Sequence, residues 1–193
     1  MMLGMNSSRV KLQHRPFLTP IWLTVGAAVA AFLFALFVIW VWGTADSTTV
    51  IVIPHAEQEA GGQVDPKLSS VGEERAQRLA RIFGASQGPG RLDAIYVSNA
   101  SFSRLTAAPL AERLHVPLSV AAGGDDVALA RRALREHGGG RVLVVAHPDT
   151  LPGIVAALSG VDHIPRLNAQ DYGIIYVVTV PRIGHANLVR LNY

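Results

Sequence analysis

The longest apolar run in the chain covers residues 21–42, where no side chain is charged. At about 1.5 Å of rise per helical residue, these 22 residues would cover the roughly 30 Å of bilayer hydrocarbon. Tryptophans lie near both ends of the run, and indole rings prefer the membrane interface. The pattern predicts a transmembrane helix, and it divides the chain into a tail at 1–20, an anchor at 21–43 and an outer domain at 44–193.

The charges beside this run predict its orientation. The preceding tail has no acidic residue, and its basic residues are Arg9, Lys11 and Arg15. By the positive-inside rule the N-terminus is cytoplasmic and the outer domain is periplasmic or external. A cleaved signal peptide is the alternative, because residues 43–45 are small. The run is longer than the roughly 7 to 15 apolar residues of a signal peptide, which favours an uncleaved anchor.

Two apolar runs in the outer domain each end at a histidine. Residues 48–53 lead to His55, and residues 141–146 lead to His147. Continuous runs rich in β-branched residues predict strands that are covered on both faces. The carboxyl ends of parallel strands lie at one edge of a sheet, where open α/β sheets bind ligands. We therefore expect the two histidines to share a pocket.

The remaining pattern alternates strands with helices. A serine cap at 69 or 70 predicts a helix to about residue 83, with an inward stripe of Val71, Leu79, Ile82 and Phe83 and with Arg75, Arg78 and Arg81 in solvent. Further predicted elements are a strand at 92–98, a helix ending near 114, a strand at 117–120, helices at 125–138 and 150–158, and a hairpin of 174–180 with 186–191. This order predicts a three-layer αβα domain of the α/β class with a mainly parallel sheet.

Composition narrows the chemistry. The basic tail accounts for the whole formal net charge of +3, so the outer domain is neutral. The high isoelectric point of the whole chain therefore gives no argument for nucleic acid binding. The chain contains no cysteine, which excludes disulfides, thiolate metal sites and cysteine catalysis.

Four segments of the outer domain, in this order, resemble the motifs of the histidine phosphatase superfamily, also called the phosphoglycerate mutase-like family. That family begins with a strand ending in Arg-His-Gly or Arg-His-Ala-Glu. It continues with an aspartate before a Leu-Thr-x-x-Gly helix start, a second strand and helix, and a strand ending in Gly-His. The matching segments here are residues 52–57, 65–72, 92–98 with 106–111, and 144–147.

The resemblance implies phosphoryl transfer through a phosphohistidine. His55 would be the nucleophile, and His147 would bind and stabilise the transferring phosphoryl group. A carboxylate would protonate the leaving oxygen, for which Asp126 and Asp125 are the candidates. Glu57, at the end of the first motif, is expected at the pocket rim.

Two departures concern the arginines that surround the phosphate in this family. Pro54 stands where the first should precede the nucleophile. In the family pattern Ser-x-x-x-Arg-Thr-x-x-Thr, counted from Ser98, Phe102 stands in the place of the second. Arg104 is a candidate substitute in the pocket, but two helical positions are about 200° of rotation, so we expect it to face elsewhere. Losing one such donor costs on the order of 100-fold to 1,000-fold in rate.

These observations leave two functions open. The first is a membrane-anchored domain with lost or strongly reduced phosphatase activity, which binds a phosphorylated small molecule or an envelope protein. The alternative is an active phosphomonoesterase that works through His55. A third hypothesis is a zinc site built from histidine and carboxylate ligands, namely His55, Glu57, His147 and Asp149. Nothing in their spacing requires a metal, and we predict neither a metal nor a cofactor.

Overall fold

A computed structural model describes residues 20–43, 47–61, 66–85, 88–121, 124–168 and 170–193. The chain divides into two compact units, Met1–Trp42 and Gly43–Tyr193. Helix α1 (Ile21–Gly43) accounts for nearly all described residues of the first unit. Its segment Ile21–Val41 is long and apolar enough to cross a membrane. The basic tail and residues 44–46, on which the predicted orientation and cleavage depend, lie outside the described residues.

The second unit alternates strands and helices along the chain. Its elements are β1 (Ser47–Pro54), α2 (Ser70–Gly84), β2 (Ala94–Val97), α3 (Ser101–Leu114), β3 (Leu118–Val120), α4 (Asp126–Glu136), β4 (Arg141–Ala146), α5 (Leu151–Ser159), β5 (Ile174–Pro181) and β6 (Asn187–Asn192). Ser69 caps α2, because its side chain accepts a hydrogen bond of 3.1 Å from the backbone N–H of Gly72. The predicted order of strands and helices is confirmed.

The six strands form one sheet in the order β3-β2-β4-β1-β5-β6. The strands β3, β2, β4 and β1 are parallel, and β5 runs antiparallel to both β1 and β6. Pro54 of β1 is paired with Ala146 of β4. The next residues, His55 and His147, therefore leave the sheet side by side at the carboxyl ends of its two central parallel strands.

Helices cover both faces of the sheet. Alternate β1 residues Val50 and Val52 pack toward α4 and α5, whereas Ile51 and Ile53 pack toward α2 and α3. Because both faces are covered, β2, β4 and the part of β1 from Val50 onward carry apolar residues at nearly every position. This arrangement confirms the predicted three-layer αβα fold.

The inward face of α2 differs from the predicted stripe. Val71 is 55% exposed and Ile82 is 46% exposed, while the buried residues of the helix are Gly72, Ala76, Leu79 and Ala80. A β-carbon at Gly72 would overlap the carbonyl oxygen of Glu57. The helix begins so close to the backbone after β1 that its first inward position is a glycine, while Leu79 is buried as predicted.

Candidate functional site

His55 is held in one orientation at the end of β1. Its backbone N–H donates to the carbonyl oxygen of Ala146 at 3.0 Å, and its side chain is only 2% exposed. Nδ1 lies 2.8 Å from the carbonyl oxygen of Ala56. Because that carbonyl can only accept, Nδ1 carries the proton and Nε2 of the neutral ring does not. Nε2 is buried and has no hydrogen-bond partner among the described residues.

The surroundings of His55 keep its ring neutral. Burial lowers the pKa of His55 below its ordinary value, and the nearby His147 lowers that pKa further. The hydrogen bond to Ala56 and the charge of Glu57 raise the pKa but do not outweigh burial. Nε2 therefore presents an available lone pair near neutral pH.

Three rings surround His55. The ring centroid of Phe102 lies 4.2 Å from that of His55, that of His147 lies 5.2 Å away, and that of Tyr172 lies 6.0 Å away. The structure therefore brings together the two histidines that the strand pattern singles out. Tyr172 was missed by the sequence analysis, because it comes from the connection between α5 and β5, which carries no motif.

The first turns of α3 are bonded to the chain after His55. The hydroxyl of Thr106 accepts from the backbone N–H of Ala56 at 2.9 Å and donates to the carbonyl oxygen of Phe102 at 2.7 Å. The hydroxyls of Ser98 and Ser103 are 2.5 Å apart. These bonds fix Phe102 beside His55, so the position of the second family arginine faces the candidate nucleophile.

Glu57 is bound by Arg75 of α2. Nε of Arg75 lies 3.0 Å from one carboxylate oxygen of Glu57 and 2.8 Å from the other, and the Arg75 guanidinium lies 5.6 Å from the Tyr193 ring centroid. Burial favours a higher pKa for Glu57, but the bonds and charge of Arg75 outweigh it and leave that pKa below its ordinary value. The prediction that Arg75 is solvated was wrong, because the start of α2 lies against the backbone of Glu57.

This ion pair also bears on the zinc hypothesis. No group of three or more histidine, cysteine or carboxylate side chains in the described part of the chain is arranged to hold a metal ion. Glu57, one of the four hypothetical ligands, is bonded to Arg75 instead. The described residues therefore give the zinc hypothesis no support.

No cation replaces the missing arginines around His55 in the described structure. Every lysine and arginine beyond residue 20 lies in a described segment, and the charged groups that shift the pKa of His55 are His147 and Glu57. Arg104 donates to the carbonyl oxygen of Asn99 at 3.1 Å and to the hydroxyl of Ser101 at 2.8 Å. Its guanidinium is thus directed to the start of α3, as the helical rotation predicts.

The two candidate acids contact other groups. Asp125 caps α4 by accepting a 2.9 Å bond from the backbone N–H of Ala128. Asp126 is buried and accepts a 2.7 Å bond from the hydroxyl of Thr150. In the described structure neither carboxylate contacts the ring of His55, so their predicted role as acid has no support in this geometry.

His147 is oriented by the residues that follow it. Its Nδ1 lies 3.3 Å from the backbone nitrogen of Asp149, which can donate to it, and 3.4 Å from one carboxylate oxygen of the same residue. The His147 side chain is about half exposed, unlike that of His55. The pocket therefore pairs a buried, neutral histidine with a more accessible one.

Comparison with known proteins shows which sequences and folds this chain resembles. The family model for the histidine phosphatase superfamily (branch 1) matches residues 50–129. No curated protein matches the sequence.

Several solved structures share the fold. The protein histidine phosphatase SixA complexed with tungstate is 18% identical, with a TM-score of 0.59, over 75% of this chain and 96% of that chain. A phosphoserine phosphatase from Entamoeba histolytica in complex with 3-phosphoglyceric acid is 17% identical, with a TM-score of 0.58, over 76% and 97%. A mycobacterial glucosyl-3-phosphoglycerate phosphatase is 17% identical, with a TM-score of 0.51, over 76% and 99%. At these identities the likeness establishes the fold.

Proposed function

We propose that this chain, whose residues 50–129 match the family model of the histidine phosphatase superfamily, is a membrane-anchored binding member of that superfamily with lost or strongly reduced phosphatase activity. Its ligand is a phosphorylated small molecule or an envelope protein that enters the pocket of His55 and His147. In this proposal the chain keeps the fold and the histidine pair of the family, but the pair binds a ligand instead of hydrolysing a phosphate ester.

The contact between Phe102 and His55 carries this proposal. Phosphoryl transfer is accelerated mainly by donors that stabilise the spreading charge, and arginine forks are the strongest of these. Phe102 has no donor and places an apolar ring 4.2 Å from His55, and the side chain of Pro54 has none either. Both substitutions lie beside His55. The donors that would stabilise a phosphoryl group are therefore missing at the residue where phosphoryl transfer takes place in the family.

Helix α1 supplies the proposed membrane anchor. Ile21–Val41 has the length and the apolar composition of a membrane span, and the basic tail precedes it in the sequence. By the positive-inside rule the tail at 1–20 is cytoplasmic, the anchor is at 21–43 and the domain at 44–193 is extracytoplasmic. A reporter fused to the C-terminus that is active only in the cytoplasm would contradict this orientation.

The state of His55 favours a second candidate function, an active phosphomonoesterase. Its Nε2 is unprotonated, buried and without a hydrogen-bond partner in the described structure. A neutral imidazole of this kind can attack phosphorus, forming an N–P bond as the ester oxygen leaves, and water then hydrolyses the phosphohistidine. His147, 5.2 Å away, would contact the transferring group.

Turnover of an aryl phosphate by the full chain in detergent separates the two functions. We expect the wild type to show only background hydrolysis, unchanged in His55→Ala. His185→Ala, at an exposed histidine in the β5–β6 turn, is the matched control. Robust hydrolysis that His55→Ala abolishes and His185→Ala retains would contradict the binding function and establish the esterase.

A further inference from the structure

A concavity lies at the end of β1 that is opposite to the two histidines. It has a volume of about 430 Å³ and is formed by the start of β1, the turn after α4 and the end of β5. Its charged lining residues are Arg135 and Arg182, and no carboxylate lines it. The concavity is therefore suited to an anion.

Hydrogen bonds connect the chain segments that line this concavity. The backbone N–H of Gly139 donates to the hydroxyl of Thr48 at 2.9 Å, and that of Thr49 donates to the carbonyl oxygen of Gly140 at 2.9 Å. On the other side, Ser47 is paired with Pro181. The turn after α4 and the end of β5, which adjoin the two arginines, are thus both attached to β1.

An exposed apolar residue follows one of the two arginines in the sequence. Ile183 follows Arg182 in the turn between β5 and β6 and is 65% exposed. An exposed apolar side chain next to basic ones is the arrangement by which peripheral segments bind membranes, since the apolar group enters the interface while the cations meet anionic headgroups. Among the exposed large apolar side chains in the described residues of the second unit, Ile183 has the largest exposed fraction.

The concavity lies close in sequence to the apolar helix α1. Only residues 44–46 separate the end of α1 from the start of β1, and Thr48 already lines the concavity. In sequence it is therefore the part of the domain nearest to the apolar segment. We infer that this concavity is a docking site for the headgroup of an anionic phospholipid, with Ile183 entering the membrane interface. This inference rests on the proposed anchoring by α1.

The test uses the full chain in lipid nanodiscs. The chain has no cysteine, so Ile183→Cys introduces a single thiol for an environment-sensitive fluorophore. We expect a blue shift in discs that contain phosphatidylglycerol relative to pure phosphatidylcholine discs. Arg135→Gln with Arg182→Gln should remove the shift, reducing the docked population on the order of 30-fold, because each basic residue at an anionic surface contributes comparably.

Arg131→Gln is the matched control, since Arg131 is exposed on the same helix and does not line the concavity; it should leave the shift unchanged. Hydrogen exchange at residues 181–186 of the unlabelled chain is a second readout, with protection expected only in anionic discs.

The outcomes separate this inference from the function on which it rests. A chain that enters both kinds of disc but shows neither a shift nor protection specific to anionic lipid would overturn the docking site alone. A chain that enters neither would overturn the anchoring and the docking site together. The same response to soluble glycerol phosphate in phosphatidylcholine discs would show that the site takes a free anion instead.

Discussion

The ring of Phe102 lies against the ring of His55, with 4.2 Å between their centroids. Thr106, one helical turn later, also faces His55 through its bond to Ala56, whereas Arg104 between them bonds away from it. One face of α3 therefore lies against His55, the candidate nucleophile. The residue at position 102 decides whether that face presents a cation or a hydrocarbon ring.

Restoring both arginines tests whether the pocket is otherwise competent. The variant with Pro54→Arg and Phe102→Arg should bind tungstate or orthophosphate at least about 10-fold more tightly than the wild type, because charge-assisted bonds to each arginine become available. Isothermal titration of the full chain in detergent measures this gain. Phe102→Leu, which keeps the position apolar, should give no gain.

The same experiment can contradict the proposed geometry. If the restored variant folds, as judged by circular dichroism, and binds these oxyanions no better than Phe102→Leu, then the side chain at position 102 does not reach a group bound at His55. Hydrolysis gained by the restored variant and lost again with His55→Ala would show that the nucleophile remained intact while its phosphate-binding groups were replaced.

Thr106 is predicted to hold the segment that carries His55. In Thr106→Val the buried N–H of Ala56 loses its acceptor, which should lower the free energy of unfolding by about 1–3 kcal/mol. Thr106→Ser keeps the hydroxyl and should cost clearly less. Urea unfolding of the full chain in detergent, followed by circular dichroism, measures both; equal losses in the two variants would mean that the methyl group, and not the hydrogen bond, is what matters.

Local sequence signals predicted the scaffold of the site. The β-branched runs before His55 and His147 placed both histidines at one sheet edge, because parallel strands covered on both faces have a distinctive apolar pattern. Ser69 marked the start of α2 through its capping side chain. The family resemblance implied that Phe102, counted from Ser98, takes the place of a phosphate-binding arginine, and its ring lies beside that of His55.

These local signals could not predict contacts between distant segments of the chain. Arg75 looked like a solvated helix residue, and only the approach of α2 to the chain after β1 shows that it binds Glu57. Tyr172 reaches the site from a connection whose path no periodicity encodes. Val71 was wrongly assigned to the core because hydrophobicity ranks it above Gly72, while the space at that contact admits only glycine.

Gly72 should therefore be intolerant of a side chain. Gly72→Ala places a β-carbon against the carbonyl oxygen of Glu57, and relieving such overpacking typically costs about 1–3 kcal/mol of unfolding free energy. Gly153→Ala is the matched control near the start of α5, where the nearest atom to a new β-carbon, on Val127, is 3.8 Å away. It should be neutral or stabilising by up to about 1 kcal/mol. Equal stability of the two variants would contradict the close approach.

The pair of Glu57 and Arg75 should couple energetically. Both side chains are largely buried and joined through Nε and a second guanidinium nitrogen, so a double-mutant cycle of Glu57→Gln and Arg75→Ala should give a coupling of about 1–3 kcal/mol. Arg75→Lys should recover only part of the stability, since a lysine lacks the planar fork. Arg78→Ala, at an exposed position of the same helix, is the matched control and should show no coupling with Glu57→Gln.

The pH dependence of stability is an independent test of the ion pair between Glu57 and Arg75. The pKa of Glu57 is lower in the folded chain than its ordinary value of 4.5, because the hydrogen bonds and charge of Arg75 outweigh burial. The unfolded chain then binds more protons at acidic pH, so the contribution of the pair is complete above about pH 4.5 and is lost as the pH falls through the lower folded value. We expect the wild type to lose more unfolding free energy than Glu57→Gln between pH 6 and pH 3. Parallel losses in the two proteins would show that the bond to Arg75 does not stabilise the charged form of Glu57.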